Sequence, residues 1–277
     1  MSKVLLTGAS GFVGSYLSSC LTSNGHTVFG LSKSESFDLC NFSSLSRIKY
    51  EHDTIIHCAA GFNGNDVDSC IQNEMINSIG SLNLCKLAIE VRCRYFVYIS
   101  SISVIEDQVN EFFNSYGISK KHAEDNIKFF CKTNNIRCLI LRFSQIYDSK
   151  GIAKDHQPFL YDIIDKISKG EDITIYGVKN PYRNYIHIDD VCKIIEKSIN
   201  QKIEGLYHCV HPESHTILDI IEIAGRAADK TPKVIRLSDK SNIGNISIPN
   251  DFLIYKKICF SPQINLHEGI RKYIQEN

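Results

Sequence analysis

The segment Thr7-Gly8-Ala9-Ser10-Gly11-Phe12-Val13-Gly14 lies between Val4–Thr7, which reads as a strand, and Val13–Asn24, which has helical period. Glycines three apart at a strand–helix junction leave few folds open. In this arrangement Gly8 permits the tight turn, Gly11 lets the backbone approach a pyrophosphate, and Gly14 lets helix and strand pack closely. The helix N-terminus adds unpaired N–H groups and the positive end of its dipole. Glycines also end strands for purely structural reasons, so the weight here comes from the context at the first strand–helix junction. The expected contacts of a dinucleotide are Gly8, Ser10, Gly11, Phe12, Val13 and Gly14.

The rest of the first half keeps the same rhythm. Thr27–Leu31, Thr54–His57, Arg94–Ser100 and Arg137–Phe143 read as strands, and Asp66–Val91 and Tyr116–Asn134 as helices. Such alternation implies right-handed crossovers and a parallel sheet covered on both faces, whose strands should lack polar alternation. The fold class expected is α/β, a Rossmann-type doubly wound sheet with a smaller C-terminal α/β lobe. After Tyr147, Gly151, Pro158, Gly170, Gly177 and Pro181 break the chain into short segments. The expected division is 1–147 for dinucleotide binding and 148–277 for the substrate, with 181–200 packing back on the first part. No internal repeat or low-complexity tract is evident.

Bulk properties mainly exclude. The 31 basic and 31 acidic side chains balance, which gives no reason to expect nucleic acid or an anionic membrane as partner. The 11 cysteines form no CxxC pair, and most lie in apolar stretches, as expected of reduced thiols in a reducing compartment. The start, Lys3-Val4-Leu5-Leu6, does not read as a signal peptide, and no apolar run approaches a membrane span. A soluble, cytoplasmic protein is expected. His208, Cys209, His211 and His215 have ligand types permissible for zinc, but a closed site needs a fourth ligand and no metal is expected.

The end of the second strand is where an adenosine ribose would be read. An acid there would bond the 2′-hydroxyl and repel a 2′-phosphate. Ser32 and Lys33 stand there instead, with Glu35 nearby. The reading leans to NADPH, with NAD kept open because a lysine is ordinarily a solvated surface residue.

Tyr116-Gly117-Ile118-Ser119-Lys120 opens a helical segment, and its tyrosine and lysine, four apart, share a face. A phenol near pKa 10 is a poor base at neutral pH, but a nearby ammonium and an oxidised nicotinamide would favour its phenolate. Bringing that pKa near 7 takes about 4 kcal/mol of differential stabilisation. Upstream, a strand ends in Ser100-Ser101-Ile102-Ser103. The carboxyl end of a strand is where ligands sit in such sheets, and a serine there can hold a substrate oxygen while the tyrosine transfers a proton. A lone Tyr/Lys pair, or serines alone, would be ordinary surface or turn chemistry. Their order after a glycine turn is what singles them out.

With these residues together, the chain resembles an extended short-chain dehydrogenase/reductase of the NAD-dependent epimerase/dehydratase family, which acts mainly on nucleotide sugars. The resemblance runs nearly end to end. His57-Cys58-Ala59-Ala60-Gly61 resembles the family's cofactor-contacting strand end, Asp38-Leu39 its adenine-side contact, and Asn77-Ser78-Ile79-Gly80-Ser81 its Asn-x-x-Gly-Thr helix motif. It implies Ser101, Tyr116 and Lys120 as catalytic residues. It also implies Asp38, Leu39, Ala59, Ala60, Asn77, Ser100 and Phe143 as cofactor contacts, and Ser101, Ser103, Gln145 and Arg183 as substrate contacts. Arg183-Asn184-Tyr185-Ile186-His187-Ile188-Asp189-Asp190-Val191 is similar to a family motif whose arginine grips the nucleotide diphosphate. The two long helices resemble the family's dimer bundle, which makes a homodimer the expected assembly.

The departures narrow the chemistry. Dehydratases of the family carry Thr-Asp-Glu where this chain has Ser101-Ile102-Ser103, so elimination of water has no evident acid and base. Only 14 residues lie between Ser101 and Tyr116, a short loop for the family. The expectation is reduction of the 4-keto group of a nucleotide-linked 4-keto-6-deoxysugar. The alternatives are a 4-epimerase holding NAD tightly and, from another class, a non-catalytic NAD(P)-sensing regulator.

Overall fold

In a computed structural model, residues 2–32 and 37–277 are described. The first half runs β1 (Lys3–Thr7), α1 (Phe12–Ser23), β2 (Thr27–Leu31), the short α2 (Phe42–Leu45) and β3 (Thr54–His57). Next come α3 (Val67–Asn73), a π-turn over Glu74–Ile79 that leads straight into α4 (Gly80–Glu90), β4 (Tyr95–Ser101), α5 (Ser115–Thr133) and β5 (Arg137–Phe143). The second half runs β6 (Gln145–Tyr147), α6 (Pro158–Lys169), β7 (Ile173–Tyr176), β8 (Tyr182–Arg183), β9 (Tyr185–His187) and α7 (Ile188–Asn200). It ends with β10 (Gly205–Cys209), β11 (His215–Thr216), α8 (Ile217–Ala228), β12 (Val234–Leu237), α9 (Leu253–Ile258) and α10 (Leu266–Glu276).

Six strands form one sheet in the order β10-β5-β4-β3-β1-β2, and every pairing in it is parallel. The five strands expected from the first half are joined by a sixth, β10, from beyond residue 148. Strand pleating explains the core. Val4 and Leu6 of β1 enter the apolar cluster on one face, together with Val97, Leu139 and α1. Leu5 enters the cluster on the other face, with Phe96, Ile140 and residues of α4 and α5. Being covered on both sides, β3 is buried throughout, from Thr54 to His57.

The first cluster also takes in Ile188, Val191 and Ile195 of α7, Tyr207 and Cys209 of β10, and Ile254 and Ile258 of α9. A third cluster, centred on Leu160, Ile164, Ile217, Ile221 and Ile270, is built by the second half, with Phe12 of α1 packed against it. Local signals set the boundaries there. Gly170 ends α6 in the left-handed region at φ 76°, and Thr216 with Asp219 forms a capping box at the start of α8. All eleven cysteines are free thiols. Among the described residues, no helix is long and apolar enough to cross a membrane.

Candidate active site

Parallel strands in close register bring their carboxyl ends to one edge: Thr7 stands opposite His57, His57 opposite Tyr98, and Ser101 opposite Phe143. That edge opens into a cleft of about 660 Å³. The switch in strand order between β2, β1 and β3 puts the glycine turn at its floor, where ligands of such sheets bind. Gly8 has φ +70°, and a Cβ there would lie 2.8 Å from the Ala59 nitrogen. A Cβ on Gly14 would lie 2.0 Å from the Gly8 carbonyl oxygen, so helix and turn meet with no room for a side chain. Gly11 caps α1 without a side-chain hydrogen bond, leaving first-turn N–H groups for a ligand. These features fit a dinucleotide's pyrophosphate.

The neighbouring strand end is braced. The hydroxyl of Thr7 lies 2.8 Å from His57 Nδ1 and accepts from the Ala59 nitrogen at 3.2 Å, while His57 Nε2 lies 2.9 Å from Ser81 Oγ. Burial pushes the His57 imidazole down to about 3, so it is a neutral strut. Asn77, on the π-turn, accepts from the Gly61 nitrogen at 2.8 Å, donates to the Gly61 oxygen at 2.9 Å and donates to Ser119 Oγ at 2.9 Å. It fixes the loop behind Ala59 and Ala60 without lining the cleft itself.

Asn114 caps α5 by accepting from the Tyr116 and Gly117 nitrogens, which holds Tyr116 in the first turn at the cleft. Gly117 is required there, since a Cβ would come 2.3 Å from the Ser103 carbonyl oxygen. The Tyr116 ring meets Phe62 edge-on at 4.9 Å. Ser101 donates to Ser103 Oγ at 3.1 Å and accepts from the Ser103 nitrogen at 3.1 Å, capping the short turn Ile102–Val104. One turn along α5, Lys120 is 2% exposed. Its Nζ donates to the Ile99 carbonyl at 2.7 Å and sits 4.2 Å from the Tyr98 ring centre. Behind it, buried Glu124 accepts from Ser100 at 2.6 Å and from Arg142 Nε at 2.9 Å and Nη2 at 2.6 Å.

The expected lowering of the phenol's pKa calls on the lysine together with an oxidised nicotinamide; in the protein by itself burial dominates. Burial pushes Tyr116 up to about 12, opposed by a hydrogen bond with Ser101. Burial also pulls Lys120 down to about 8, opposed by Cys58 and Glu124. Burial thus keeps the proton on the phenol at neutral pH.

Of the residues expected from sequence, Gly8, Ser10, Gly11, Phe12, Val13, Gly14, Ser32, Asp38, Leu39, Ala59, Ala60, Ser100, Ser101, Ser103, Tyr116, Lys120, Phe143 and Gln145 line this one cleft. Asn77 stands behind it, and Lys33 lies outside the described residues. Arg183 is not on the wall either. It is 3% exposed, donates to the Tyr182 and Gly244 carbonyls at 2.8 Å each, and lies 5.2 Å from the Phe112 ring centre. Its guanidinium is engaged by backbone rather than presented to a diphosphate. Sequence reasoning passed over Phe62, Phe112, His156, Gln157 and Ile246, which also line the cleft. Phe62 follows a strand's carboxyl end and could have been flagged by position; the others sit on loops without periodicity. Among the described residues, no group of three or more His, Cys, Asp or Glu side chains could hold a metal.

Comparison with known proteins places this geometry. The model of the NAD dependent epimerase/dehydratase family matches residues 4–208. UDP-glucuronic acid decarboxylase 1 of Danio rerio is 23% identical, over 99% of this chain and 72% of its own. The solved UDP-glucose 4-epimerase of Thermus thermophilus, in complex with NAD, superposes with a TM-score of 0.80 at 19% identity, over 99% of this chain and 98% of its own. RMD of Pseudomonas aeruginosa, complexed with NADPH, gives a TM-score of 0.83 at 19% identity, over 100% of this chain and 98% of its own. The structural likeness at these identities is one of fold, and the family match covers well over half the chain. The chain belongs to the NAD dependent epimerase/dehydratase family and is an enzyme of the extended short-chain dehydrogenase/reductase type.

Proposed function

We propose that the enzyme reduces the 4-keto group of a nucleotide-linked 4-keto-6-deoxysugar, with NADPH as the favoured cofactor. The observation that carries this reading is the phenol of Tyr116 with the Ser101 hydroxyl beside it, on a wall where residues 101–103 offer hydroxyls and no carboxylate. Relatives named for decarboxylation and epimerisation share the fold, so the site and not the scaffold has to decide. The residues fit the cofactor: the glycine turn has the close contacts and free N–H groups that a pyrophosphate needs. The lean to NADPH rests on Ser32, which lines the cleft, and on Lys33 beside it in sequence, where a ribose-binding acid would otherwise stand.

A bound reduced nicotinamide supplies the hydride to the carbonyl carbon. Ser101 donates a hydrogen bond to the carbonyl oxygen and fixes it within reach of Tyr116. Tyr116 gives its proton to that oxygen as charge develops on it, and water restores the proton after the turnover. Lys120, anchored by the Ile99 carbonyl, would hold the nicotinamide ribose through its ammonium and ease the transient phenolate on Tyr116. One hydride and one proton are consumed for each ketone reduced.

The test is NADPH oxidation by a nucleotide-linked 4-keto-6-deoxysugar, run beside identification of any cofactor released on denaturing the purified protein. Turnover with an empty or NADP-loaded site supports the reductase. Near-stoichiometric NAD, with interconversion of C4 epimers, replaces it with the epimerase that shares the same residues. Replacing Tyr116 with Phe should lower turnover by roughly 10²–10⁴-fold while cofactor binding stays nearly intact. Unchanged turnover in that variant rules out the assigned acid.

A further inference from the structure

Two loops remote in sequence meet over the Ser101/Tyr116 end of the cleft. One is the short connection between β4 and α5; the other is the irregular segment between β12 and α9. They are laced by backbone and carboxylate. The Glu111 nitrogen donates to the Asn245 oxygen at 3.0 Å, the Asn245 nitrogen donates to Glu111 Oε1 at 3.1 Å, and the Ser247 hydroxyl donates to Asp107. Arg183 adds a bond to the Gly244 carbonyl and lies over the Phe112 ring. Between these ties sits Ile246, 9% exposed, packed with Ile102 and Phe112 and facing the cleft. Ile102 is the residue between the two site serines.

The lining of this cleft is also polar in part. Ser144 and Gln145 line it, and the Ser144 hydroxyl is buried with no hydrogen-bond partner among the described residues. Buried polar atoms left unpaired in this way are costly and call for a partner. A sugar ring held here can turn a hydroxyl group to Ser144 and an apolar substituent to Ile246 and Phe112. With C4 held at Ser101 and Tyr116, C6 is two bonds away.

Resting on the proposed reduction, we infer that Ile246, backed by Phe112, reads the C6 substituent of the sugar and selects methyl over hydroxymethyl. The side chains of Ile246 and Phe112 offer no donor or acceptor to a C6 hydroxyl, which would lose its water against them without replacement. An apolar pocket discriminates against an added hydroxyl by at most about 100-fold, so the preference should lie between roughly 10-fold and 100-fold.

The test runs the reaction as oxidation with NADP, comparing a nucleoside diphosphate 6-deoxyhexose with the matching hexose. Calorimetric binding of both sugars is measured in parallel. Wild-type protein should favour the 6-deoxy compound in kcat/KM and in affinity. Ile246→Thr should bring the two within about threefold, chiefly by loss on the 6-deoxy side, and Ile246→Val, which keeps the packing, should fall between. NADPH affinity should hold in both variants and reports that they are folded. A wild-type ratio near one overturns the inference. So does an equal loss on both sugars in Ile246→Thr, because the side chain would then touch a part they share. If neither sugar reacts but the binding preference and its loss are seen, the inference stands and the proposed reduction falls.

Discussion

Lys120 shows what the site costs the fold. Its ammonium is buried, and its pKa of about 8 lies below the ordinary 10.5. Between those values the unfolded chain binds the extra proton, so stability rises with pH across that window. The cost is full below pH 8 and relieved above about 10.5, and it amounts to about 3 kcal/mol. Lys120→Met removes the cost and also a hydrogen bond to the Ile99 carbonyl of about 1 kcal/mol. The variant should therefore melt higher than wild type at pH 7, with an advantage that shrinks as pH climbs past 8, while activity is lost. Thermal melts over a pH series check this, and an advantage that grows with pH rules it out. At this scale much was legible, because Tyr116 and Lys120 act through a spacing that can be counted. Arg183 was not, because what engages its guanidinium is a carbonyl from a segment with no pattern, Gly244.

Among elements, the helical run from Val67 to Glu90 carries the lesson. Its 3.6-residue pattern predicts one helix over 66–91, and the run is continuous, but a π-turn occupies Glu74–Ile79. Nothing in the pattern marks that turn, since the extra residue answers to Asn77 and its bonds to Gly61 rather than to the helix. Asn77→Ala leaves the Gly61 amide and carbonyl without these partners. It should cost about 1–3 kcal/mol in chemical denaturation and weaken cofactor binding through the loosened loop. Unchanged stability would mean that the loop holds itself. On the outer side, Ile71, Met75, Ile79 and Leu82 follow one another at helical spacing and are exposed, and Phe129 of α5 is 72% exposed. A soluble monomer rarely leaves such a stripe open. The expected homodimer should bury it across a two-fold axis, and Phe129→Glu should shift sedimentation from dimer to monomer. A wild-type chain that sediments as a monomer removes the expectation.

For the whole molecule, the sequence predicts an alternating first half, a looser second half and 181–200 packing back on the first, but no strand of the second half in the main sheet, where β10 interleaves the two. Strand β10 is too short and mixed for its periodicity to reveal which sheet it would join, and only its pairing with β5 decides that. With α7 and α9 it completes a core begun by β1 and α1. A fragment of residues 1–147 should therefore fail to give a cooperative unfolding transition, and a sharp one would show that the first half stands alone. The same interleaving bears on synthesis. Sixty-six positions separate Phe143 from Cys209. At ordinary elongation rates the ribosome needs roughly 3–13 s to make them. Through that interval the β5 edge and one apolar face of the sheet wait uncovered. The nascent chain should thus be a client for holding chaperones at a defined stage of its synthesis, and should leave them once β10 has cleared the exit tunnel.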